Sequence, residues 1–528
     1  MNKKIKTIVS ITALCMSLSV LSTGCKTKDK KEEAVNNDAN QAPVTIKWLA
    51  YQTLAQPDPQ SEICKAVEKK FNCKFDFMYV DNAKWDEALN VKLAAGDIPD
   101  VMRINNIDNL PNYVKQGIAA ELPVDTIKKK APNYATVIDK YDSQKIVWNY
   151  TKVDGKNYGF TNINVDMLYP GAIIWRTDWL KNVGIDKTPE TLAQFEDAIY
   201  KFRNNDPDKN GKKDTYGISA TGFNAVWGAH GLTNPQGLAP MVKDGKIVYQ
   251  TTSSEAKQAL TLLAKYYKDG VIDPEYLTGE NKGGYWAVST VFANSRIGVT
   301  TLGSWYHYYG QLEEGYTPGG AALEFKKINP NMEFAPGKAI VGPAGTKSGL
   351  PQPNYVSEPI MITSQGAKNQ RIVDVALKLL DANYNGDKEY AALNCYGTKD
   401  VDYNISKSGV YNTLITVAAD ARKKGILIFT YASMNPDMKK AFDPLRFKYA
   451  DENTKYNGII DPVITNTPAI TEAKTKNLEN LKKLTAEAYG QIITGAKPIE
   501  YFDEFVKKFY DNGGKELEKA LTDSYNVK

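Results

Sequence analysis

The 528-residue sequence predicts an α/β chain folded into two lobes with a cleft between them. Three observations predict it. Strand and helix patterns alternate from Val44 to Ile104, and the alternation restarts near Ala172. The roughly 500 residues behind the N-terminal leader also exceed what one core organises, about 250–300. Strands and helices at this spacing give a parallel sheet covered by helices. In open sheets of that kind small molecules lodge beyond the carboxyl ends of the strands.

In the first lobe, Val44 to Tyr51 alternates as a strand and ends in aromatics. Ser61 to Phe71 carries an amphipathic helical stripe, and Cys73 to Val80 is a second strand. Lys84 to Ala95 sets Trp85, Leu89 and Leu93 on one helical face until Gly96-Asp97-Ile98-Pro99 stops it. Asp100 to Ile104 reads as a short buried strand, which puts Tyr51 and Arg103 to Asn106 at the rim of a cleft.

In the second lobe, Ala172 to Trp175 is a strand and Thr177 to Val183 a helix. Thr188 reads as the N-cap of a helix over Pro189 to Asn204, because Pro suits the first helical position. A helix from Ser254 to Lys268 takes Ser253 or Ser254 as its cap, and Arg296 to Leu302 is a buried strand. Further helices are expected over Gln370 to Tyr384, Asn477 to Ile493 and Ile499 to Tyr510. Asn162 to Ile174 and Tyr355 to Thr363 lack a helical stripe and are expected to cross between lobes. Lobe 1 thus begins with 43–165 and lobe 2 with 166–355, while 356–528 is shared between them.

Residues 1–24 have the layout of a signal peptide. Lys3, Lys4 and Lys6 precede a short apolar stretch from Ile8 to Leu21, too short to span a bilayer, and small residues lead into Cys25. The run resembles a lipobox, although Ser22 stands where an aliphatic residue is usual, and it implies lipidation of Cys25. The alternative is plain secretion with an incidental Cys. Residues 25–42 are too polar to pack and read as a solvated leash. A lipid-anchored, extracellular, monomeric protein at the cell membrane is expected.

Three of the lysines behind the net charge of +5 leave with the signal peptide, so the remainder is near +2. A balance that close to neutral gives no footprint for nucleic acid. Cys64, Cys73 and Cys395 have no metal-ligand spacing, and Cys64 and Cys73 are either a local disulfide or two buried thiols.

Several segments then look like one family. Ala94-Ala-Gly-Asp-Ile-Pro-Asp-Val-Met102 resembles the Gly-Asp-x-Pro-Asp turn of extracellular solute-binding proteins that feed ABC importers. Ile174 to Leu180 with Thr188-Pro-Glu-Thr191, Asp244 to Tyr249 with Tyr266 to Pro274, and Phe292 to Gly298 with Gly303-Ser-Trp305 resemble further stretches of it, in order. The anchored long form is most similar to the carbohydrate-binding lipoproteins of solute-binding family 1. The resemblance implies a periplasmic-binding-protein type II fold closing on a carbohydrate, an oligosaccharide by preference, and an ABC permease as partner.

A sugar offers apolar C–H faces and a ring of hydroxyls, so its site combines flat aromatics with polar side chains. Strand ends and loops supply Trp48, Tyr51, Arg103, Asn105, Trp286 and Tyr306, and family position adds Trp305 and Trp227. Trp85, Trp148 and Trp179 read as packing residues.

Asp206-Pro-Asp-Lys-Asn-Gly-Lys-Lys-Asp214 has the spacing of a calcium loop. Asp206, Asp208 and Asn210 take its first, third and fifth places, Lys212 offers a carbonyl, and Asp214 is ninth. Gly217 stands where the twelfth-place Glu is usual, and Thr215 where alginate-binding members carry an acid. The alternative is a polar surface turn.

With two His residues and no nucleophile elbow or phosphate loop, enzymatic readings are reduced to a surface glycosidase or lyase using paired carboxylates.

Overall fold

Seven strands build the two principal sheets: β1 (Val44–Leu49), β2 (Cys73–Phe77), β3 (Val101–Arg103), β4 (Ile173–Arg176), β5 (Val299–Thr300), β6 (Phe334–Gly337) and β7 (Ile360–Ile362). The computed structural model describes residues 41–142, 145–165, 171–278, 289–308, 320–346, 356–415, 417–431, 434–456, 462, 464 and 467–526. Signal peptide, Cys25, most of the leash and Trp286 lie outside them, as does the side chain of Tyr306.

The first sheet runs β7-β3-β1-β2, with β1 parallel to both neighbours and β7 antiparallel to β3. Period two sorts its side chains. Ile46, Trp48, Val101 and Ile360 face the core under helix Gln370–Ala382, while Leu49, Met102 and Met361 meet Trp85 and Leu89 on the other side. The Gly-Asp-x-Pro-Asp turn stitches three of these strands together. Asp97 pairs with Lys47 Nζ, Asp100 Oδ2 accepts from Lys47 N at 2.8 Å, and the Thr363 hydroxyl donates to Pro99 O at 2.6 Å.

The second sheet, β6-β4-β5, is antiparallel throughout. Its strand at 299–300 is shorter than the Arg296–Leu302 reading. Gly298 lies so close over Phe202 that a Cβ there would sit 2.0 Å from the ring, so the chain passes without room for a side chain. The helix over Leu192–Asn204 starts later than expected. Its cap is Thr191, which trades hydrogen bonds with Gln194 in a capping box, and not Thr188. Two family segments meet in this lobe, where Arg296 forks onto the buried Asp273 at 2.6 and 2.8 Å.

Both cores draw on distant sequence. Residues 426–431 and 372–384 return to pack under the first sheet. The C-terminal helices, including Pro468–Ile493, which starts nine residues before the expected Asn477, pack with Trp175, Trp179 and Phe195. Helix Pro444–Tyr456 sends Ala450 into a smaller cluster with Trp305 and Phe325. At the crossings, Phe160 bridges Ile360 and Ile163 bridges Val356. Cys64, Cys73 and Cys395 are free thiols, so the disulfide alternative gives way; burial pushes Cys64 up to about 11 and Cys73 to about 12.

Candidate functional site

Beyond the carboxyl ends of β1 and β3 lies a cavity of about 300 Å³. Ala50, Tyr51 and Gln52 follow β1 into it, and Arg103 closes β3. The antiparallel β7 sets Ile360 opposite Arg103, which brings Glu358 within 2.9 Å of the Arg103 Nη2. Arg422, Leu427 and Tyr431 form another wall. Leu427 and Tyr431 have φ of 62° and 49°, a left-handed backbone that costs a side-chain-bearing residue energy and tends to cluster at sites. Arg446 completes the lining, and its guanidinium lies over the Trp305 ring at 6.0 Å, joining the cavity to the second lobe's smaller cluster. A larger hollow of about 830 Å³ lies between Gln56 to Ile63 and residues 398–424, but it belongs to the first lobe alone and has no aromatic wall.

The expected binding residues divide sharply. Tyr51 and Arg103 line the cavity; the Tyr51 hydroxyl donates to Met78 O at 3.1 Å, and burial drives its pKa up. Trp48 does not reach it. Alternation places it with Ile46 on the core face, 0% exposed, and its Nε1 donates to Ile428 O. Trp227 is also core, at 1% exposed. Phe223–Ala229 is a helix rather than the loop expected, and it packs the indole against Tyr489. Trp305 stands behind Arg446, buried against the second lobe. Asn105 is half-buried and outside the cavity lining, with its Oδ1 unpartnered. Trp286 and the Tyr306 side chain fall outside the described residues. Sequence reasoning missed Glu358, Arg422 and Arg446.

In the loop at 206–214, Asp206 accepts from the backbone of Asn210 and Gly211 at 3.1 and 3.0 Å. The Asn210 Nδ2 donates to Asp208 at 2.8 Å and to Asp214 at 3.3 and 3.4 Å, while its Oδ1 accepts from Lys212 N. Burial and the neighbouring Asp206 raise the Asp208 carboxyl pKa. Among the described residues no three acidic, His or Cys side chains stand close enough together to hold a metal ion. These oxygens are of the hard kind that calcium takes, and here the Asn210 amide bridges the carboxylates of Asp208 and Asp214.

Two α/β lobes, with a cavity at strand ends that one arginine links to the opposite lobe, define a two-lobed binding protein. The chain belongs to the bacterial extracellular solute-binding proteins, whose family model matches residues 62–371. It is 26% identical over 511 residues to Lipoprotein LipO of Bacillus subtilis (strain 168), covering 93% of this chain and 94% of LipO. It is 24% identical over 531 residues to the polygalacturonan/rhamnogalacturonan-binding protein YtcQ of the same organism, covering 98% of each. The alginate-binding protein AlgQ2, solved without calcium ion, shares the fold with a TM-score of 0.65 at 16% identity, over 92% of this chain and 98% of that one. Proteins of this family bind solutes, which sets aside the glycosidase and lyase alternative.

Proposed function

We propose that this protein captures an oligosaccharide in the cavity at the ends of β1 and β3 and delivers it to an ABC importer permease. The cavity itself carries the reading. It sets the polar groups of Gln52, Arg103 and Glu358 between walls formed by Ile360 and the largely buried Tyr51 and Tyr431, a mixture of apolar and polar lining that suits a sugar. The relation to YtcQ, named for two polysaccharides, supports a carbohydrate. Arg446 couples the cavity to Trp305, so closing of the lobes would be felt at the ligand.

Two further parts belong to the proposal. Cys25 is the lipidated residue that tethers the protein to the outer membrane face, a reading supported by the relation to Lipoprotein LipO. Calcium is held by Asp206, Asp208, Asn210, the Lys212 carbonyl and Asp214, where it would tie down the end of helix Leu192–Asn204. The description of AlgQ2 as a structure without calcium ion connects this fold with the cation.

Calorimetry against a panel of oligosaccharides, with chromatography of the sugar afterwards, tests the function. Saturable binding and unchanged sugar are expected; binding of peptides alone would sink the carbohydrate assignment. Mass spectrometry of the mature N-terminus tests the tether, and an unmodified start other than Cys25 would remove it.

A further inference from the structure

We propose that the solute is an anionic oligosaccharide bearing a carboxylate, and that Arg103 and Arg422 clasp that carboxylate in the cavity. The inference rests on the carbohydrate reading above and narrows it to one chemical class.

Among the described residues, the guanidiniums of Arg103, Arg422 and Arg446 line the cavity together with the carboxylate of Glu358. Arg103 is 9% exposed and Arg422 8%. Arg103 reaches Glu358, whose own side chain is 44% exposed, and the Arg422 Nη1 donates to Ile426 O at 3.1 Å. The Nε of both arginines is buried without a hydrogen-bond partner.

A guanidinium carries five donors in one plane and stays charged in proteins, so both its hydrogen bonds and its charge require partners when water is removed. The two groups also oppose each other. Burial first, and the Arg103 charge next, pull the Arg422 pKa down to about 10. Among the described residues, the buried Arg103 and Arg422 share one half-exposed counter-ion, Glu358, so a further negative charge beside them is favoured.

A neutral sugar hydroxyl satisfies an N–H and brings no such charge. A carboxylate satisfies both, and its two oxygens match the fork of a guanidinium. Because the chain as a whole is near neutral, the attraction is local to the cavity and is felt at contact.

The test is calorimetry on the intact protein with uronate trisaccharides, their methyl esters, neutral counterparts and a sulfated trisaccharide. The acid should bind at least about tenfold tighter than its ester, the value of one charge-assisted hydrogen bond. Added salt should shrink that advantage, and Arg422→Gln and Arg103→Gln should each reduce it while binding of the ester persists. Arg422→Lys keeps the charge without the fork and should retain part of the preference, which guards against a variant that fails to fold. Equal affinity for acid and ester overturns the anionic assignment and leaves carbohydrate capture standing. Preference for the sulfated sugar overturns the carboxylate. Binding of none of these sugars overturns the carbohydrate reading itself.

Discussion

Lys474, on a helix of the second lobe, places its Nζ 2.8 Å from both carboxylate oxygens of Asp108 in the first lobe. Both side chains are partly exposed, which limits such a pair to about 1 kcal/mol. The contact is strong enough to bias how the lobes meet and too weak to lock them. A double-mutant cycle with Asp108→Asn and Lys474→Met should give a coupling below about 1 kcal/mol in urea unfolding. A larger coupling would mean that the pair is shielded from water in solution and acts as a clasp.

Acid should weaken the second lobe through His307. Burial first, and Arg446 next, lower its pKa from 6.5 to about 4, while the Ser304 N–H donates to its Nδ1. The unfolded imidazole takes up a proton below 6.5, whereas the folded one resists until about 4. Stability from this group is therefore complete above 6.5 and is lost as pH falls toward 4, by up to about 3 kcal/mol. His307→Gln should flatten the pH dependence of urea midpoints across that window. An unchanged slope would show that the ring is accessible to protons in the folded protein.

Trp227→Ala should cost about 3–5 kcal/mol of stability, as large-to-small changes of buried aromatics do, because the indole fills the core against Tyr489. Solute affinity of the folded fraction should not change. Weaker binding with full stability, measured by calorimetry beside urea melts, would return Trp227 to the ligand.

Calcium should raise the melting temperature of ion-depleted protein, since binding to the folded state alone adds about 2.7 kcal/mol at a hundredfold excess over Kd. Asp206→Ala combined with Asp208→Ala should remove the effect. If chelator leaves the wild-type melting temperature where it was, the loop is a polar turn.

The place of Tyr51 and Arg103 on the cavity wall is legible in the sequence because strand patterns are local and open sheets leave a crevice at the carboxyl ends of their parallel strands. The same period of two puts Trp48, two residues beyond Ile46, on the core face with it, so the aromatic content of the strand end misled where the period was informative. Trp227 was misplaced because Phe223–Ala229 has a Gly and aromatic residues where a helix usually announces itself, and packing overrides that weak propensity. Arg422 sits in Ala-Arg-Lys-Lys, which reads as a solvated helix end, and Arg446 lies where the family resemblance has faded. Only the fold brings either to the strand ends.

The way the two cores are shared along the chain also sets when they can form. The first core needs Ile426 to Tyr431 beside Ile46, and the second needs Phe502, Phe505, Phe509, Leu517 and Leu521 beside Trp175. A polypeptide that leaves the cell amino end first therefore has no finished nucleus to jam its passage until nearly all of it has emerged. A stop codon near residue 500 would forfeit the whole second lobe, although every predicted ligand residue would still be present.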